Sequence, residues 1–114
     1  MEGCIFCKIA NREIPSRIAY EDDEVVAFHD LNPVAPVHIL IIPKRHISGI
    51  TSLTDEDKNL IGAILLTAGK LAQEHSVAEG GFRVVANHGR NAGQSVPHLH
   101  FHLLGGRPMG WPPG

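Results

Sequence analysis

Residues Gln94–Leu104 read QSVPHLHFHLL. His98, His100 and His102 stand at every second position, and Leu99, Phe101 and Leu103 alternate with them. In an extended strand, successive side chains point to opposite faces. The alternation therefore predicts a strand over 96–104 with three imidazoles on one face and an apolar row on the other. The apolar row faces the core, which leaves the imidazoles facing a cleft or solvent. Same-face α-carbons in such a strand lie roughly 6–7 Å apart.

Three roles compete for these rings. They could form a polar sheet face of structural histidines. Two or three of them could bind a catalytic metal. One imidazole could instead attack phosphorus while the others orient it and hold charge. The preceding NAGQS (91–95) favours the last role. Gly93 lets the backbone approach a ligand closely, and free N–H groups with the Ser95 hydroxyl can bind an anion. A catalytic zinc site usually has a carboxylate nearby as ligand or base, and none occurs after Glu79. A neutral imidazole, with an ordinary pKa near ~6.5, is a competent nucleophile at neutral pH.

Upstream of this stretch, FRVVAN (82–87) reads as a strand and HGRNAGQS (88–95) as a loop. Before them lies a helix over about 54–75. Thr54 is its N-cap, and Asp55, Glu56 and Asp57 complement the positive end of the helix dipole. Leu60, Ile61, Ile64, Leu65, Ala68, Leu71 and Ala72 form its apolar stripe. VHILIIPK (37–44) is a β-branched run and reads as a buried strand. RIAYEDDEVVAFHD (17–30) reads as two strands joined by a tight acidic turn at Glu21–Asp23. CIFCKIANRE (4–13) forms a short helix that Pro15 terminates. The tail GGRPMGWPPG (105–114) is irregular. This order predicts an α+β fold, a mostly antiparallel sheet packed by one long helix.

At 114 residues and 43% apolar content, the chain holds one core and reads as a single domain, 1–114. A formal net charge of −2 gives no basic excess for nucleic acid. HILIIP and LIGAILL are too short to span a bilayer, and the start of the chain lacks the pattern of a signal peptide. A soluble, cytoplasmic protein with no membrane partner is expected. Cys4 and Cys7 form one C-x-x-C, which in a reducing compartment reads as a metal knuckle or redox pair.

HLHFHLL resembles the signature of the histidine-triad (HIT) family of nucleotide hydrolases and transferases, in which histidines alternate with apolar residues. The likeness extends through EIPSRIAYEDDEVVAFHDLNPVAPVHILIIPKRHI and GGFRVVANHGRNAGQSVPHLHFHLLGGRPMGWPPG. The final WPPG is similar to the Hint branch, the purine nucleoside phosphoramidate hydrolases. The resemblance implies a HIT-like fold whose sheet extends across a homodimer, with the tail (about 105–114) reaching toward the partner. It implies a purine nucleotide substrate and covalent catalysis with His100 as nucleophile. His102 would contact the phosphate and help the amine leave, and His38 would support them. Asp30 would bind the ribose hydroxyls, and Asn87, Gly93 and Ser95 the phosphate. Phe6, Ile9, Ile14, Phe28 and Leu31 would form the purine slot, and Trp111 in the tail would lie toward a site. A purine-nucleotide-binding interaction protein with incidental hydrolysis is the alternative. His29, His75 and His88 read as structural or exposed.

Some relatives use a C-x-x-C to hold a structural zinc. A tetrahedral site needs four ligands, and the resemblance implies His46 and His98 beside Cys4 and Cys7. Four protein ligands leave no open position for substrate. No cofactor is expected in catalysis itself.

Overall fold

A computed structural model describes residues 2–114. The strands are β1 (Ile18–Glu21), β2 (Val25–His29), β3 (Val37–Pro43), β4 (Phe82–Val85) and β5 (Phe101–Gly105). They form one sheet in the order β1-β2-β3-β5-β4, with every neighbouring pair antiparallel. Helix α1 (Ile5–Ala10) and helix α2 (Lys58–Glu74) complete the α+β architecture.

The two helices lie against opposite faces of the sheet, which explains the unbroken apolar runs of β2 and β3. Val25, Ala27, Ile39 and Ile41 pack with α2, while Val26, Phe28, Leu40 and Ile42 pack with α1. A strand covered on both faces needs no polar alternation. The acidic turn between β1 and β2 closes on itself, with Asp22 Oδ1 accepting the N–H groups of Glu24 and Val25, each at 2.8 Å.

The long helix opens with a 3-10 turn, Asp55–Asp57, before the α-helical span. Thr54 and Asp57 form a capping box, and Arg45 pairs with the Asp57 carboxylate. The expected stripe needs one correction. Leu65 is 52% exposed, whereas Thr67 is buried among Leu60, Ile64, Ala68, Leu71 and Ala72. Leu65 lies about 100° around the helix from Ile64, at the border of the buried arc. Thr67 is accommodated because its hydroxyl donates to the Ala63 carbonyl at 2.8 Å.

Two strands are shorter than the sequence predicts. The strand expected over 82–87 ends at Val85. The strand expected over 96–104 begins only at Phe101, so His98 and His100 precede it. Pro97 has no N–H to give a ladder. The Pro43 carbonyl, which could have continued the pairing, faces the His98 ring Nε2 at 2.8 Å. The Leu99 N–H donates instead to the Ile47 carbonyl at 2.6 Å. The predicted alternation of faces nevertheless survives. Leu99, Phe101 and Leu103 join the α2-side core, and His98, His100 and His102 turn the other way.

Candidate active site

Leu40 pairs with His102 across β3 and β5, and His38 pairs with Leu104. His38 and His102 are thus diagonal neighbours on one sheet face, within reach of each other. His38 Nε2 lies 2.9 Å from His102 Nδ1, and the His100 and His102 ring centroids are 5.0 Å apart. Asp30, just past β2, adds its Oδ2 at 3.5 Å from His38 Nε2. Its Oδ1 accepts the Asn32 N–H at 2.7 Å, which holds the carboxylate in place.

The hydrogen bonds assign a tautomer to each ring. The Val34 N–H donates to His38 Nδ1 at 3.1 Å, so the proton of neutral His38 sits on Nε2. That proton points to His102 Nδ1, which leaves the His102 proton on its own Nε2. His100 Nδ1 donates to the His98 carbonyl at 2.7 Å, so its Nε2 carries a free lone pair. Backbone groups at both ends of the array therefore produce one base with an uncommitted lone pair and one neighbouring N–H donor. Burial is the main force holding His102 neutral, with the His100 and His38 rings adding to it, and its pKa falls to about 4. Burial also lowers His38, against the opposing pull of the Asp30 carboxylate. A buried neutral base beside a fixed donor can attack an electrophilic phosphorus and stabilise the charge on its oxygens.

His98 differs from the other two. The imidazole row was expected to face a cleft or solvent, yet His98 has 0% of its surface exposed. Cys4 caps α1 and Cys7 lies in its first turn, and both thiols are buried. His98 Nδ1 lies 3.3 Å from Cys4 Sγ and 3.6 Å from Cys7 Sγ, and His46 Nδ1 lies 3.3 Å from Cys7 Sγ. One ligand atom from each of these four residues lies within 4.8 Å of all the others. A sulfur and a nitrogen bound to one tetrahedral zinc are about 3.5 Å apart. His98 Nε2 donates to the Pro43 carbonyl, so Nδ1 carries the lone pair facing the thiols. This is the outer hydrogen bond that orients a metal-binding imidazole. The donor set, the spacing and the tautomer all fit a structural zinc.

Phe6 packs edge-on against His98, His100 and Phe28, with centroids at 5.9, 5.1 and 5.6 Å. Ile9 shares that cluster and Ile14 packs against it, giving an apolar wall beside the imidazoles. Two residues implied for binding stand apart. Leu31 is 91% exposed and Trp111 83% exposed, so neither joins the wall within a single chain. Gly93 ends a 3-10 turn in the left-handed conformation, at φ 80°. Ser95 is exposed and lines a cleft with Cys4 and His46, and Asn87 is half-buried just beyond β4.

Gln94, to which the sequence assigns no role, holds the loop over 88–95. Its Nε2 donates to the Ser48 and Val96 carbonyls at 2.9 and 3.1 Å, while its Oε1 accepts the Gly89 N–H at 2.9 Å. His88 is exposed and structural, as expected, its Nδ1 accepting the Ile50 N–H at 3.1 Å. Ser48 and Ile50 are 46 and 38 residues away from these side chains, and no local pattern signals them. His29 and His75 meet edge-on with centroids 5.5 Å apart.

The HIT domain family matches residues 11–109. The chain is 48% identical to the purine nucleoside phosphoramidase of Escherichia coli K12, over 96% of this chain and 92% of that protein. It is 50% identical to an uncharacterized HIT-like protein of Synechocystis, covering 99% of this chain and 98% of the relative. The crystal structure of a HIT family hydrolase from Legionella pneumophila superposes with a TM-score of 0.96 at 51% identity. That match covers 98% of this chain and all of the other.

Proposed function

The chain belongs to the HIT family, and from that premise we propose that it hydrolyses the P–N bond of purine nucleoside 5′-phosphoramidates and releases the nucleoside monophosphate. Adenosine 5′-monophosphoramidate is the simplest substrate of this class; aminoacyl- and lysyl-adenylates present the same α-phosphorus through a P–O acyl-phosphate bond, with a carboxylate leaving in place of the amine. The observation that carries the reading is the fixed tautomer of His100, whose Nδ1 is committed to the His98 carbonyl.

His100 Nε2 attacks the α-phosphorus. The new P–N bond forms as the bond to the leaving amine breaks, and the amine departs with the proton that His102 Nε2 gives up. Before that transfer the same N–H stabilises the phosphoryl oxygens. Water then attacks phosphorus and returns a proton to His102 Nε2, the bond to His100 breaks, and the monophosphate leaves. His38 holds His102 in its donor tautomer. Gly93, Ser95 and Asn87 serve the phosphate, and the Asp30 carboxylate receives the ribose hydroxyls. Phe6, Ile9, Ile14 and Phe28 form the purine wall. In this scheme, catalysis uses no cofactor.

Cys4, Cys7, His46 and His98 hold one structural zinc, which on binding contributes fold stability rather than chemistry. The functional unit is a homodimer. Support for this comes from β4, an edge strand in the sheet, and from the exposed Phe82, Leu65 and Leu66. A partner would also give Leu31 and Trp111 something to cover. The protein works in the cytoplasm, where a reducing environment keeps both thiols free.

The test is release of AMP from adenosine 5′-phosphoramidate in the presence of a chelator. The native chain should turn over and His100→Ala should not. A folded His100→Ala variant that retains most of the activity would refute the nucleophile assignment, and activity lost only on chelation would point to metal-dependent chemistry.

A further inference from the structure

His98 belongs to two sites at once. Its ring lies in the Cys4–Cys7–His46 cluster, and its backbone carbonyl accepts the His100 Nδ1–H. The segment carrying both residues has no ladder pairing, because β5 starts at Phe101. The peptide joining His98 and Leu99 is held on its N–H side by the carbonyl of Ile47, the residue after His46, at 2.6 Å, so its orientation depends on the segment that carries the cluster's fourth member. The ring is held at Nε2 by the Pro43 carbonyl and at Nδ1 by the two thiols, and the backbone N–H donates to the Val96 carbonyl at 2.8 Å. The Cys7 N–H donates to Cys4 Sγ at 3.4 Å, so the two cysteines also bracket Phe6, whose ring rests on His100.

We propose that Cys4, Cys7 and His46 are positioning residues for the nucleophile: by anchoring the His98 ring they aim the carbonyl that selects the His100 tautomer, and through α1 they seat Phe6 against that ring. The inference rests on the reading of His100 as nucleophile. It holds whether the cluster closes on a metal or on thiol–imidazole contacts, since either fixes the same ring. The carbonyl sets which nitrogen of His100 is protonated. A His98–Leu99 peptide that tilts when the His98 ring and the His46–Ile47 segment lose the cluster would weaken the bond to His100 Nδ1 and divide His100 between two tautomers, one of which buries the lone pair needed for attack. Loss of the anchor therefore reduces kcat in molecules that remain folded.

The experiment compares native protein, Cys7→Ala and Cys7→Asp, the last of which keeps a metal-ligating group. The readouts are kcat and KM for adenosine 5′-phosphoramidate, the ring 15N shifts of His100, zinc content, and circular dichroism to confirm folding. Folded Cys7→Ala should lose about 10- to 100-fold in kcat, the range seen when groups orienting a site are removed. Its His100 shifts should move from one tautomer toward an average, and Cys7→Asp should recover much of both. Folded Cys7→Ala with kcat within twofold of native and unchanged His100 shifts would overturn the proposal. If Cys7→Ala does not fold, His46→Asn, which alters only the half-buried end of the cluster, is read by the same two criteria. The metal reading fails separately, on a native, reduced protein without zinc. The nucleophile reading fails separately, on an active His100→Ala.

Discussion

Gly105→Ala probes the junction that holds β5, and with it His102, in register. Gly105 pairs with Val37 on one side and Phe82 on the other, so its backbone is held between two strands. A Cβ added there would lie 2.7 Å from Val77 Cβ, 2.8 Å from Cγ2 and 3.0 Å from Cγ1. Carbon atoms pack at about 3.5–4.0 Å, so the two segments must separate by roughly 1 Å. Neither yields easily. Val77 is buried, and its N–H donates to the Ala72 carbonyl at 2.9 Å just beyond α2. Overpacking of this kind costs about 1–3 kcal/mol. The alanine also restricts the unfolded chain, which returns about 0.4–1 kcal/mol. The two ranges leave a net loss centred near ~1.3 kcal/mol, within about 0–2.6, read from urea unfolding at constant m-value. Val77→Gly removes all three clashing atoms, so the double variant should be less destabilised than the sum of the singles. Additivity within ~0.5 kcal/mol would refute the steric argument.

Three further outcomes follow from other parts of the molecule. The pKa of His102 is depressed to about 4, below its ordinary value of 6.5, so its contribution to stability is complete above 6.5 and is lost as pH falls toward 4. That gap is worth on the order of 3 kcal/mol, and denaturation across this pH range should be flatter in His102→Asn; an unchanged slope would contradict the buried neutral ring. Thr54→Ala removes the acceptor for the Glu56 N–H and should cost about 0.5–2 kcal/mol in the same assay. Asp30→Ala should raise KM for the adenosine phosphoramidate at least about tenfold, in line with loss of a charged hydrogen-bond acceptor, while barely affecting its 2′,3′-dideoxy analogue. Equal effects on both sugars would remove Asp30 from the ribose.

The alternation of the triad made its face legible, because a two-residue period marks opposite sides whether or not a ladder forms. The same period could not show where pairing begins. Pro97 and the ring of His98 displace the ladder from the residues before Phe101, and that depends on Pro43, 55 residues away from His98. The buried runs at 25–28 and 39–42 were legible as strands, and the hydrophobic spacing located α2. Helical spacing alone could not separate Leu65 from Ile61 at the border of the stripe, since burial there depends on how far the sheet reaches around the helix. The grouping of Cys4, Cys7, His46 and His98 followed from family resemblance, and the fold places their ligand atoms together. The reach of His88 and Gln94 to Ile50 and Ser48 was not legible, because those partners lie in a loop 38 and 46 residues away. Leu31 and Trp111 are the large apolar residues of the implied site that one chain leaves exposed.

The central claim is that His100 Nε2 forms a bond to phosphorus. The most direct measurement is a rapid alkaline denaturing quench of the native chain during turnover of adenosine 5′-phosphoramidate, followed by intact-mass and peptide mass spectrometry kept at alkaline to neutral pH, since the P–N bond to imidazole is acid-labile. A transient adenylyl adduct is expected on the peptide containing His100, absent from His100→Ala. Turnover at the native rate with no adduct at any quench time, or with an adduct on another residue, would contradict it.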